Sequence, residues 1–178
     1  MTIDTSCVID HCFNSSDLIN LPNKLNSLFN DFEVQYHYGK KQGWEWKNCL
    51  ADKELNDKNL LEMSVEGLVW IDGPMNISLT TYKNTLELNG LSWRRFENIK
   101  EQRNEFIYIC NKVARFAGAE KMYFFLDSID ISSLCEAGEG LSSIENYFYT
   151  KQSNIPEIGL DDEQIDDELG VFFCYVEN

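Results

Sequence analysis

The sequence predicts an α+β (mixed α/β) fold: an antiparallel-rich central sheet with helices packed on it in a single layered domain. Three observations carry that expectation. Three short β-type runs, 67–71, 76–82 and 85–88, follow one another, separated by a turn at Asp72-Gly73-Pro74 and by Lys83-Asn84, and separators that short favour antiparallel neighbours. A helical stripe of Phe96, Ile99, Arg103, Phe106, Ile107, Cys110, Val113, Ala114 and Ala117 comes next. Met122–Leu126 then reads as a fully apolar strand suited to the middle of the sheet, and Gly170–Val176 as a last apolar strand.

The remaining elements follow in chain order. Residues 16–31 carry Leu18, Leu21, Leu25, Leu28 and Phe29 at helical spacing, with Ser16 or Asp17 as the expected cap and Pro22 in the first turns. Phe32, Val34, Tyr36 and Tyr38 alternate as in a strand, and a turn at 39–43 leads to Trp44-Glu45-Trp46 as the expected hairpin partner. A short helix is expected within 50–63. Gly118 is placed to end the 96–117 helix in the left-handed conformation. Ser142 with Glu145 has the capping-box spacing, for a helix running to about Gln152. The prolines at 22, 74 and 156 are far apart, and no repeat or linker divides the chain, so residues 1–178 are read as one domain.

With 43% hydrophobic and 13% aromatic residues, the chain is too apolar for disorder despite a net charge of −15. That charge is lopsided. From Met122 onward there are thirteen Asp or Glu and one basic residue, Lys151, so this stretch holds twelve of the fifteen net negative charges. Glu157, Asp161, Asp162, Glu163, Asp166, Asp167 and Glu168 form its densest part. Unpaired like charges destabilise a compact state, yet they steer a basic partner. The competing reading is an ordinary solvated acidic segment. Net negative charge argues against nucleic acid and anionic lipid as partners. No apolar stretch reaches the roughly 18 residues of a membrane span, and the N-terminus lacks a basic region followed by a long apolar one, so the cytosol is the expected compartment.

Chemistry leaves few marks. The six cysteines (7, 12, 49, 110, 135 and 174) are scattered, several within apolar runs, and read as free thiols. Cys7, His11 and Cys12 are the one local group of ligand-type atoms, without a paired cluster elsewhere, so no metal or other cofactor is expected. Counted from Asp161, an EF-hand loop would need glycine where Asp166 stands and glutamate where Phe172 stands. Asp127 and Asp130 follow an apolar strand but are spaced three apart, against two in phosphotransferases that place a nucleophilic carboxylate there; a strand-end or capping role is the plainer reading for Asp127. Arg94, Arg95, Lys100 and Arg103 interleave with Glu97, Glu101 and Glu105, as in the ion pairs of a solvated helix face.

The stretch 66–152, about half the chain, resembles bacterial toxin-immunity proteins, including those of contact-dependent growth inhibition systems. The likeness lies in Ile77-Ser78-Leu79 and Leu86-Glu87-Leu88, then Ser92-Trp93-Arg94-Arg95-Phe96, then Val113 through Tyr123 around Ala117-Gly118-Ala119, closing in Asp127-Ser128, with Glu139 to Ile144 as the loop entering a last helix. These are packing positions; none is a chemical signature. The resemblance implies a non-enzymatic protein that binds and neutralises a cognate toxin, with a basic nuclease domain as the implied toxin class. An acidic immunity protein occludes such a site and meets it faster through complementary potential. Glu157 to Glu168 would then be the contact, with Tyr147 and Tyr149 as aromatic anchors. Adjacent helical positions diverge by about 100°, so these tyrosines and Phe148 do not share one face, and Phe148 is expected in the core. Two other readings stand beside this one: a small enzyme built around Asp127, and an acidic adaptor or nucleic-acid-mimic inhibitor.

Overall fold

The computed structural model describes residues 4–29, 43–48, 56–73, 76–126, 128–162, 165 and 170–177. Its strands are β1 (Asp4–Asp10), β2 (Glu45–Asn48), β3 (Glu66–Asp72), β4 (Ser78–Tyr82), β5 (Thr85–Ser92), β6 (Lys121–Leu126) and β7 (Val171–Tyr175). They form one seven-stranded sheet in the order β2-β3-β4-β5-β1-β6-β7, and every neighbouring pair is antiparallel. The helices among the described residues are α1 (Ser15–Ile19), α2 (Leu21–Leu28), α3 (Asp57–Val65), α4 (Trp93–Asn98), α5 (Lys100–Ala117), α6 (Ile129–Glu136) and α7 (Leu141–Lys151).

The α+β class and the β3–β4–β5 meander match the expectation from sequence. The strand that organises them does not appear in that expectation. β1 lies between β5 and β6, with Thr5 to Ile9 all buried. Alternation along it sends Cys7 and Ile9 into one core and Val8 into the other. The larger core lies under α2, α4 and α5, where Phe96 stacks on Phe124 at 5.5 Å and Phe106 meets Phe124 edge-on at 6.1 Å. The smaller core lies under α6 and α7, with Tyr123, Phe125, Ile144 and Phe148. A single row of paired residues crosses that face of the sheet: Lys47, Trp70, Thr80, Glu87, Val8, Tyr123, Phe173. It passes from polar at the β2 edge to aromatic at the β7 edge.

Two expected helices are each broken in two. The 16–31 stretch divides at Asn20, because Pro22 lacks the amide hydrogen that a continuous helix would give to the Leu18 carbonyl. Asn14, rather than Ser16 or Asp17, caps the first piece, exchanging hydrogen bonds of 3.0 Å with Asp17. The expected 96–117 helix begins earlier, at Trp93, and breaks at Ile99, whose φ of −123° and ψ of 92° are extended. The break frees the carbonyls of Phe96 and Glu97, and the buried Arg103 guanidinium takes both at 3.2 Å. Gly118 ends the helix at φ 78°, as expected. The capping box assigned to Ser142 and Glu145 is not formed: Gly140 is the N-cap, and Glu145 turns towards β6 instead. The alternating 32–38 run and the turn after it lie outside the described residues; β2 pairs with β3.

Candidate partner-binding surface

The chain between α7 and β7 carries the first of the predicted contact residues. It is tied down at both of its sides. Along β7, Phe173 donates its amide to the Pro156 carbonyl at 3.0 Å and accepts the Ile158 amide at 2.7 Å, making a short parallel bridge at Glu157. Ile155 and Ile158 are buried beneath it. Along α5, three side chains within one turn reach the backbone: Lys100 Nζ to the Asp161 carbonyl at 3.1 Å, Asn104 Nδ2 to the Leu160 carbonyl at 2.9 Å, and Arg103 to the Asp162 carbonyl. The Asp162 carboxylate accepts the Gly159 amide at 2.8 Å, closing a tight turn.

The sequence placed Lys100 and Arg103 on a solvated face in ion pairs with the neighbouring glutamates. The structure corrects this for Arg103, which is fully buried and donates from Nη1 to the Phe96 and Glu97 carbonyls. A buried guanidinium needs several acceptors to offset its desolvation, and the α4–α5 break and the acidic segment supply them together. The side chains of Glu157, Asp161 and Asp162 remain exposed. Among the described residues, no Lys or Arg is ion-paired with their carboxylates. Glu163, Asp166, Asp167 and Glu168 lie outside the described residues, as does Asp127.

The two anchor tyrosines part company. Tyr147 is half-buried against α6, its hydroxyl donating to Asp130 Oδ2 at 2.5 Å while Lys151 Nζ lies 5.2 Å from its ring centre. That hydrogen bond, foremost, raises its hydroxyl above the ordinary tyrosine range. Tyr149 is 50% exposed and lies close enough to Tyr123 to act on its hydroxyl through space. Phe148, between them, is in the smaller core as expected.

Sequence reasoning missed the groups that Tyr149 joins. Along β7, Val171, Phe173 and Tyr175 share the α7 side of the sheet, passing from buried to half-buried to exposed. Opposite them on β6 stand Tyr123 and Lys121. Tyr123 donates its hydroxyl to Glu145 Oε1, and Lys121 Nζ lies 3.4 Å from the same oxygen. Burial first and Glu145 second raise the Tyr123 hydroxyl far above its usual range, and Tyr149 and Tyr175 add to this through space. The signal available in the sequence was the period-two placement of Val171, Phe173 and Tyr175, hidden by the equally apolar residues between them.

The Cys7–Cys12 group has no ligand geometry. His11 accepts the Phe13 amide on Nδ1 at 3.2 Å, which makes Nε2 the protonated nitrogen, 3.0 Å from the Tyr82 carbonyl oxygen. Cys7 is buried, Cys12 exposed, and among the described residues no group of three His, Cys, Asp or Glu is placed to hold a metal ion. Cys7, Cys12, Cys110, Cys135 and Cys174 are free thiols. No described helix is long and apolar enough to cross a membrane.

Fold and surface together define a class: an antiparallel α+β protein that presents a tethered acidic segment beside an exposed aromatic strand end. No family model, no curated protein and no solved structure matches this chain.

Proposed function

We propose that this chain is an immunity protein, which binds a cognate, basic toxin domain and blocks it through the acidic surface of its C-terminal third. One observation supports this reading above the rest: the 157–162 segment is held by its main chain while Glu157 and Asp161 are exposed. A solvated linker has no need of a buried arginine. Holding the backbone in place fixes the charges relative to one another, so a partner meets them without first ordering the segment. The twelve-charge excess around them then acts at long range on the encounter rate.

The test is binding to the toxin domain encoded beside this gene, followed by stopped-flow kinetics and by protection of cells that express the toxin. Association is expected to slow by about tenfold or more as ionic strength rises from about 0.01 to 1 M, while dissociation changes little. Replacing Asp161, Asp166 and Asp167 together with Lys is expected to abolish protection. Asp162 is left intact because its carboxylate closes the Gly159 turn. Full protection by the folded triple variant removes the acidic segment from the interface; a neighbouring gene product that does not bind removes the immunity reading itself.

A further inference from the structure

We propose that the exposed aromatic face formed by Tyr149, Phe173 and Tyr175 takes an arginine or lysine side chain of the basic partner, which stacks across Tyr149 and Tyr175 beside Glu145. The inference rests on the reading of the chain as a binder of a basic protein and names the place where specific contact is made. The acidic segment steers; this face holds.

The strand register builds the face. Because side chains alternate along β7, Phe173 and Tyr175 lie on the side that α7 covers, but α7 reaches only part of the strand. Val171 is 7% exposed under the helix, whereas Tyr175, at the other end, is 53% exposed. Tyr149 stands one turn after Glu145 on α7, on the same helical face. Exposed aromatic side chains gathered at one place have a cost in water that isolated ones do not, and such patches mark contact sites.

The chemistry of the occupant is already written in the face. Lys121 Nζ lies 5.4 Å from the Phe173 ring centre and 5.5 Å from that of Tyr175, and 3.4 Å from Glu145 Oε1. One ammonium thus sits between two ring faces and a carboxylate, the arrangement that holds cations on aromatic surfaces. Tyr149 and Tyr175 are 50% and 53% exposed, and the exposed Glu157 and Glu177 lie beside Phe173 and directly after β7. A second copy of this chain is the wrong occupant, because it brings a further −15 of charge to a negative surface. An acidic partner is excluded by the same field.

The test uses the full chain with 3-fluorotyrosine in place of tyrosine, titrated with nona-arginine as the probe and followed by fluorine NMR. Single Tyr→Phe variants assign the resonances. The Tyr149 and Tyr175 signals are expected to shift together and saturably, with the Tyr147 signal unmoved, and Tyr149→Ala with Tyr175→Ser to weaken binding by roughly tenfold or more. Circular dichroism checks that the double variant is folded, and the wild-type shifts stand whether or not it is. Binding that depends on Asp161, Asp166 and Asp167 but leaves Tyr149 and Tyr175 unmoved overturns this face and spares the immunity reading. No saturable binding at any ionic strength overturns this face, while toxin neutralisation is read independently by the cell assay. Concentration-dependent dimerisation lost in the Tyr149→Ala, Tyr175→Ser variant assigns the face to a second copy and overturns the basic occupant.

Discussion

Arg103 holds Asp162 by the peptide carbonyl, and the Asp162 carboxylate turns away to the Gly159 amide. Had the two side chains paired, part of the acidic surface would have been neutralised from within. The guanidinium reaches the main chain there, and the Phe96 and Glu97 carbonyls are among its acceptors. Replacement of Arg103 by Met removes a charged donor from three buried or half-buried carbonyls. The expected loss is about 2–3 kcal/mol in urea unfolding, as for hydrogen bonds to a charged group. Faster amide exchange at Ile158 and Phe173 should accompany it as the segment loosens. Lys100→Met, at a partly exposed donor, should cost under about 1 kcal/mol. Equal losses in the two variants would show that Arg103 is not the main tether.

Two of the three left-handed glycines make a graded comparison. Gly118, at φ 78°, ends α5, and a Cβ there would meet Cys12 Sγ at 3.1 Å. Gly67, at φ 70°, lies in β3, and its Cβ would fall 2.3 Å from Tyr82 Cε1. The first substitution costs chiefly the left-handed backbone, about 1–2 kcal/mol for Gly118→Ala. The second adds a collision with a buried ring that is itself hydrogen-bonded to Glu87, so Gly67→Ala should be the more destabilising by at least about 1 kcal/mol. Thermal unfolding of the two variants side by side decides it, and a reversed order would mean that Tyr82 moves aside freely.

What the sequence made legible was whatever depended on neighbours in the chain. The meander could be read because its separators are short, and the end of α5 because Gly118 follows a long stripe. β1 could not be read. Its buried run, Thr5-Ser6-Cys7-Val8-Ile9, mixes two hydroxyl residues with apolar ones and sends side chains into both cores, so it shows neither an alternating pattern nor a long apolar run. Its place depends on partners at Asp4 to Asp10 with Thr85 to Ser92, some eighty residues away in the chain. Arg103 was misread for a related reason: a helical pattern cannot reveal a break at Ile99 or a segment sixty residues later that supplies the acceptors. Of the contact surface, charge identified the acidic segment, whereas the Tyr149–Tyr175 face required the β6–β7 register.

The thiols should react in an order set by burial. Cys7 is fully buried and its thiol is pushed well up, by burial first and by Cys110 next. Burial pushes Cys135 and Cys174 up to about 12 each. The thiolate is the reactive form, so these groups are protected twice, by access and by ionisation. Cys12 is exposed. In the native protein at neutral pH, iodoacetamide followed by peptide mapping should label Cys12 much faster than Cys7, Cys110, Cys135 or Cys174. Prior denaturation should make the five alike. Fast native labelling of Cys135 would mean that α6 lifts from the sheet.

His11 gives the fold a pH dependence that can be isolated. The neutral ring is matched on both sides: Nδ1 accepts the Phe13 amide, and Nε2–H donates to the Tyr82 carbonyl. A second proton on Nδ1 would face an N–H donor. Burial lowers the His11 pKa from its ordinary 6.5, outweighing the Tyr82 carbonyl and Asp10, which act in the opposite direction. The unfolded chain therefore takes up this proton first as pH falls. The His11 contribution is intact above 6.5, is lost progressively as pH falls through 6.5 towards the folded value, and is constant below that. Other groups also change with pH, the fifteen-charge excess among them, so the comparison is with His11→Phe, which keeps a ring stacked on Phe13 and cannot titrate. Urea unfolding between pH 7.5 and about 5 should show a steeper fall for the wild type than for the variant, by up to 1.4 kcal/mol per pH unit for one proton. Parallel curves would mean that His11 titrates alike in the folded and unfolded chain, and that its two hydrogen bonds do not discriminate against the charged ring.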